Sequence, residues 1–312
     1  MLLSCACLAA SAAQRVFLTF DDGPIDATLD VLDVLKAHGV KATFFVNGIH
    51  LAGDGGEREG RAGEALRRTI AEGHVVANHS HDHMAHNRPP GVYAIKAASA
   101  FRDVETDRPF FVPRNVEAVE DALAELAGRP NNRIGTLARL PYSNLWMVPD
   151  LPRPPGACGR KERAFWHPDA CANADEEVSD AGERLAEALF QRHGMPSIGW
   201  DFQWRPVDWT APDSNEGLPP AAFAERAIVD LMEDGRHCVT AGTATRCHGP
   251  VVPGNIVVLT HDFLFEDGPR GRGKDANLAQ LGQLIAGLKA RGYAFDTLDR
   301  FAERIQEAAS AP

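Results

Sequence analysis

The sequence predicts an α/β fold built on a parallel sheet. Three observations carry that reading. Apolar runs rich in β-branched and aromatic residues alternate with amphipathic stretches of helical period; most of those stretches stop at or just before a glycine; and the residues with chemical potential fall at the ends of the apolar runs.

The expected strands are residues 16–20, 42–46, 74–78, 136–140, 197–202, 256–260 and 294–297. The run at 256–260 is apolar almost throughout, as a strand covered on both faces should be. Between the strands lie helical patterns at 27–38, 62–72, 116–127, 181–193, 221–233 and 277–290. Gly39, Gly73, Gly128, Gly194 and Gly292 mark five of their ends. Such repetition leaves two architectures, a doubly wound sheet or a (β/α) barrel. The segments 141–180, 203–220 and 235–254 read as long irregular connections, which in α/β folds usually build active sites. No stretch reads as an interdomain linker, so residues 14–312 form one expected catalytic domain.

Residues 2–13 are short, apolar and end in small side chains, the pattern of a secretory signal, although a basic leading segment is missing. A buried first strand is the competing reading, and Leu2-Leu3-Ser4-Cys5 also resembles a lipoprotein cleavage box. No later run reaches the length of a membrane span. The chain carries 32 Lys and Arg against 43 Asp and Glu, a net charge of −11, with no basic stripe. Nucleic acid and anionic membrane are therefore excluded as expected partners, and a neutral substrate fits better. Past the leader, Cys158, Cys171, Cys238 and Cys247 form two sequence-local pairs. Three pairings exist; the local one needs least loop closure and suits an oxidising, secreted or periplasmic setting. The CxxC spacing of a structural zinc site is absent.

The chemistry begins at Thr19-Phe20-Asp21-Asp22-Gly23-Pro24. Adjacent carboxylates raise each other's proton affinity unless a cation intervenes, so one aspartate on a metal and one acting as base is a coherent arrangement. Asp-Gly-Pro is also ordinary turn chemistry. His79-Ser80-His81-Asp82-His83 follows the third strand. His79 and His83 converge on one ion if the stretch is helical; if it is extended, His79, His81 and His83 share a face. Arg139 ends the fourth strand and can hold a carboxylate in place, or can be a surface residue before a turn. Three tryptophans lie within 200–209, together with Asp201 and Asp208. Their rings suit sugar stacking or core packing. His261 tips the sixth strand, where a general acid or base belongs. That these residues follow successive strands matches the rim on which βα loops build active sites.

Thr19–Pro24, His79-Ser80-x-x-His83, Arg139-x-Pro141-Tyr142, Asp208-Trp209 and Leu259-x-His261 together resemble the five ordered motifs of the polysaccharide deacetylases, carbohydrate esterase family 4. The longer strings at 73–87, 138–146, 199–209 and 259–268 are similar to chitin oligosaccharide deacetylases within it. The resemblance implies a distorted (β/α) barrel of about seven parallel strands and a divalent metal, usually zinc, on Asp22, His79 and His83. It implies that Asp21 is the general base toward water on that metal and that His261 is the acid for the departing amine. It also implies that Arg139 steadies Asp21, that Asp208 tunes His261, and that the Tyr142 N–H stabilises the oxyanion. Trp209, with Trp146 and Trp204, would line the sugar pocket. The fourth motif departs from the pattern, with Gln203 where an aspartate is usual, so Asp201 competes with Asp208. The implied activity is metal-dependent N-deacetylation of N-acetylglucosamine in chitin oligosaccharides; peptidoglycan and acetylated xylan are the alternative substrates, and the chain is expected to be a monomer.

Overall fold

Strand β1 (Arg15–Gly23) is the centre of the sheet, flanked in parallel by β2 (Thr43–Val46) on one side and β9 (Asn255–His261) on the other. A computed structural model of the chain describes residues 14–50, 57–80, 83, 128–171, 176–206, 217–241, 244–268 and 273–309. Beyond β2 lies β3 (Val75–Asn78), beyond β9 lies the short β6 (Phe202–Gln203), and β10 (Ala294–Phe295) pairs with the start of β1. All of these pairings are parallel. The helices are α1 (Asp26–His38), α2 (Glu57–Ala71), α3 (Glu176–His193), α4 (Pro220–Val229), α5 (Lys274–Ala290) and α6 (Phe301–Ala309). Helix α1 stops where Gly39 turns left-handed at φ 63° and its N–H meets the last carbonyls.

Two expected strands are reduced in the structure. Segment 136–140 joins the sheet only through Ala138, which bridges Asn78 on one side and Ser197 on the other. Segment 197–202 is a bridge at Ser197 and a strand only from Phe202. Within the second segment the carbonyls of Ile198 and Gly199 are taken by the Arg139 guanidinium in place of a strand partner. These bridges nonetheless link β3 to Ala138, Ala138 to Ser197, and the same segment back to β9 at Phe202, so the parallel connections run in a ring.

The loop expectations also change. Segment 235–254 contains an antiparallel hairpin, β7 (His237–Ala241) with β8 (Ala244–His248), closed by Cys238–Cys247 between opposed positions. Within 141–180, β4 (Leu145–Trp146) pairs antiparallel with β5 (Phe165–Trp166), Cys158 bonds Cys171, and α3 starts earlier than expected. Both disulfides are the local pairs. The expected helix 116–127 and the leader 1–13 lie outside the described residues. Among the described residues no helix is long and apolar enough to cross a membrane.

Strand parity sorts the core into two faces. Val16, Leu18 and Phe20 of β1 pack outward with α1, α4 and α5 side chains, and Phe20 stacks on Phe44 at 5.0 Å. Phe17 points the other way and joins Phe45, Ala77, Leu137, Ile198 and Val257, one residue from each member of the ring. Side chains alternate with period two along a strand, so the same inward face continues through Thr19 to Asp21 on β1 and through Leu259 to His261 on β9. An apolar layer therefore lies directly beneath the polar end.

Candidate active site

Asp21 and His261 end the inward face of neighbouring strands and are Cα partners in the ladder. Asp22 should face away from Asp21 in a regular strand. It does not, because the register slips between Asp21 and Gly23 and Asp22 adopts φ 72°. This bulge re-aims the second carboxylate. Both aspartates then reach one imidazole: His79 Nε2 lies 3.5 Å from Asp21 Oδ2 and 3.5 Å from Asp22 Oδ1.

His79 and His83 come together in the structure. Both lie outside regular structure, Ser80 and His83 take positive φ values of 72° and 41°, and the two rings sit 4.8 Å apart. His81 and Asp82 lie outside the described residues. His83 Nε2 lies 3.2 Å from Asp22 Oδ1. His79 Nδ1 lies 2.9 Å from the Arg139 carbonyl oxygen, which fixes the ring and turns Nε2 toward Asp22. Burial, and then His83, press His79 well below the ordinary imidazole value. It rests neutral, the form that ligates a cation. One ligand atom each from Asp22, His79 and His83 lies within 4.8 Å of the others. One carboxylate oxygen and two imidazole nitrogens, with one imidazole already oriented by a carbonyl, suit a divalent metal of the zinc type.

Arg139 is fully buried, which rules out the surface reading. Its Nη1 donates to Asp21 Oδ1 at 2.8 Å and to Thr19 Oγ1 at 2.7 Å. Its Nε and Nη2 donate to Ile198 O and Gly199 O, and the plane lies 4.2 Å over Phe45. Burial raises the proton affinity of Asp21, while Arg139 and His261 hold it down. The result is a carboxylate with more basicity than a solvated one and a fixed orientation. Burial presses His261 down to about 3 against the pull of Asp21.

Tyr142 follows on the turn after Arg139. It is 50% exposed, has φ 58°, and its ring sits 4.5 Å from that of His83. Two of the expected pocket residues are elsewhere. Trp146 is 0% exposed in the inner apolar layer with its indole N–H on Asn144 Oδ1, and Trp204 is 1% exposed in the outer core with its N–H on the Pro220 carbonyl. Both indoles are packing residues, with their apolar faces covered and their single donors bonded. Trp200 is half-buried against the inner layer. Asp201 is not the partner of His261. Its two oxygens accept from Val251 N–H and Val257 N–H, and burial pushes it up to about 6. Asp208 and Trp209 lie outside the described residues.

Four supporting residues escaped the sequence reading. Thr19 Oγ1 accepts from Arg139 and donates to the Val258 carbonyl. Asn47 Nδ2 donates to Asp22 Oδ1 at 3.2 Å. Asp262 is buried, accepts from the Thr28 hydroxyl and packs on Gly23, and burial pushes it up to about 8. Asn144 bonds the 198–200 segment. Thr19, Asn144 and Asp262 stand inside or beside the quoted motifs, and Asn47 is a polar residue just past a strand end, so position alone could have drawn attention to them.

A parallel sheet whose strand ends bring together a buried carboxylate, a neighbouring imidazole and three residues that could hold a metal ion has the parts of a hydrolase centre. The chain belongs to the polysaccharide deacetylase family. Residues 9–145 match the family described as Polysaccharide deacetylase. Over 308 residues it is 34% identical to the chitin disaccharide deacetylase of Vibrio alginolyticus, covering 93% of this chain and 72% of that protein. A chitooligosaccharide deacetylase of Bradyrhizobium sp. (strain ANU 289) is 40% identical over 124 residues, covering 38% of this chain and 53% of that protein. The structure of a Streptococcus mutans CE4 esterase is similar in fold, with a TM-score of 0.50 and 24% identity, covering 91% of this chain and 86% of that one.

Proposed function

We propose that this hydrolase is a metal-dependent N-deacetylase that cleaves the acetamide of N-acetylglucosamine in chitin oligosaccharides and releases acetate. The observation that carries the reading is the pairing of Asp21 with His261 in one ladder beside the Asp22, His79 and His83 group. The substrate class rests on the similarity to the Vibrio alginolyticus protein along nearly the whole chain.

Asp22, His79 and His83 would hold the metal, which we assign as zinc from the donor set. A divalent cation there supplies Lewis acidity toward water and the acetamide carbonyl. Asp21, oriented by Arg139, takes a proton as the water oxygen attacks the carbonyl carbon. The Tyr142 N–H supports the oxygen that gains negative charge. His261 delivers a proton to the nitrogen as the C–N bond breaks, leaving acetate and a free sugar amine. Its resting imidazole is neutral, so it must acquire that proton before giving it, and Asp21 is its nearest partner in the ladder. Asp208 and Trp209 keep their proposed parts, support of His261 and contact with the sugar. Trp146 and Trp204 have none. Two disulfides favour a secreted or periplasmic location.

Acetate release from N,N′-diacetylchitobiose, measured beside release from peptidoglycan and from acetylxylan, tests the assignment. Turnover of the chitin disaccharide with little from the others is expected. The reverse order would transfer the same chemistry to a cell-wall or xylan substrate.

A further inference from the structure

We infer that Asn144 is a positioning residue for this reaction: it fixes the turn that carries Tyr142, and so the direction of the Tyr142 N–H. The inference rests on the proposed deacetylase chemistry.

The turn is short and strained. Ser143 N–H bonds the Leu140 carbonyl at 3.2 Å, the Ser143 hydroxyl bonds the Pro141 carbonyl at 3.1 Å, and Tyr142 between them is left-handed at φ 58°. A tyrosine holds that backbone only where its surroundings enforce it. The enforcement comes from both ends and lands on three consecutive residues. Arg139, at the entry, donates to the carbonyls of Ile198 and Gly199. Asn144, at the exit, pairs with Trp200 as a strand would: Nδ2 donates to Trp200 O and Oδ1 accepts from Trp200 N–H, each at 2.9 Å.

The amide of Asn144 has no spare capacity. Its second donor goes to Asp169 Oδ1 and its second acceptor takes the Trp146 indole N–H, each at 3.1 Å. Two donors and two acceptors at this reach describe asparagine and no other residue type. Gly199 completes the fit, since a Cβ there would collide with Asn144 Oδ1 and approach the Trp146 indole nitrogen. The glycine gives room to the amide that docks the turn.

The side chain of Asn144 bonds only Trp200, Asp169 and Trp146, and none of Asp21, Asp22, His79, His83 or His261, so its loss should act through the turn and its oxyanion donor. The test compares full-length zinc-loaded wild type with Asn144→Ala and Gly199→Ala, reading kcat and KM for acetate release from N,N′-diacetylchitobiose, bound zinc, and the pH profile. We expect kcat to fall about tenfold or more with KM within about twofold, since one misplaced oxyanion donor weakens the transition state rather than the ground state. In Asn144→Ala, zinc content and the pH profile should stay as in wild type; Gly199→Ala, whose carbonyl also receives Arg139, is read for kcat and zinc alone. An unchanged kcat in a folded variant, or parallel losses of kcat, KM and zinc, would overturn the inference. Should Asn144→Ala fail to fold, Asn144→Asp keeps both acceptors, loses both donors and sets a carboxylate against Asp169, and the same outcomes decide. A wild type that releases no acetate from the disaccharide overturns the proposed reaction itself, and this inference with it.

Discussion

Asp21 and His261 face each other across the parallel ladder of β1 and β9, each the terminal inward residue of its strand. Two residues further down the same face their strands carry Thr19 and Leu259, and two more Phe17 and Val257. The pair proposed to move protons is thus the top of a column whose base is apolar core. This gives the carboxylate its burial and raised proton affinity, and gives the imidazole its lowered one.

Asp21→Asn removes the proposed base and leaves Asp22, His79 and His83 in place. Acetate release should fall about 10²- to 10⁴-fold, the usual range for a general base. Bound zinc, measured by elemental analysis after dialysis, should remain near that of wild type. Activity within about tenfold of wild type would remove Asp21 from the base role.

Replacing Arg139 by Lys tests what holds Asp21 down. The arginine lowers the proton affinity of a carboxylate that burial has raised. A lysine cannot reproduce four planar donor contacts, so the Asp21 pKa should rise further. A base works only when deprotonated, and the acid limb of the pH–rate profile should therefore move to higher pH. Arg139→Ala strands a buried carboxylate, and denaturant titration should show a loss of about 3–5 kcal/mol.

Metal removal separates binding from fold. A chelator should abolish turnover, and added zinc should restore it. Because Asp22, His79 and His83 come together only in the folded chain, the wild-type melting temperature should climb with zinc concentration, with about 2.7 kcal/mol of added stability at a hundred times Kd. His79→Ala should flatten that dependence. A chelator-resistant activity would exclude the metal mechanism.

Gly23 touches the carboxylate of Asp262, which in turn accepts from Thr28 at the start of α1. In Gly23→Ala the new methyl would strike that carboxylate and the bulge carrying Asp22 would shift. Stability and zinc affinity should both drop. Adding Asp262→Ala should recover part of the loss, because neighbouring substitutions that share one contact are not additive. Strict additivity in a thermal-unfolding cycle would show that the contact has no such role.

The fold class was legible because a buried parallel strand is written as a continuous apolar run, as in 256–260, and a helix as a periodic one ended by glycine. The candidate site was legible because Asp21, His79 and His261 stand directly after such runs and Arg139 stands near the end of one. The hairpin of β7 and β8 was not, since short polar strands around cysteines carry no periodic signal. Nor was the fate of the tryptophans. An indole suits a sugar and a core equally in composition, and only packing shows that Trp146 and Trp204 are enclosed.

By itself the sequence determined which residues share a face. Period-two alternation puts Phe17, Thr19 and Asp21 on one side of their strand and Val257, Leu259 and His261 on one side of theirs, whatever lies between. The tertiary structure decided what alternation forbids or leaves open. A bulge at Asp22 brings two adjacent carboxylates to one histidine, positive φ values at Ser80 and His83 fold two imidazoles together outside any helix, and the carbonyls of residues 198–199 receive the guanidinium that fixes the base. Backbone departures of this kind persist only when distant segments pack against them, and no local stretch of sequence encodes those partners.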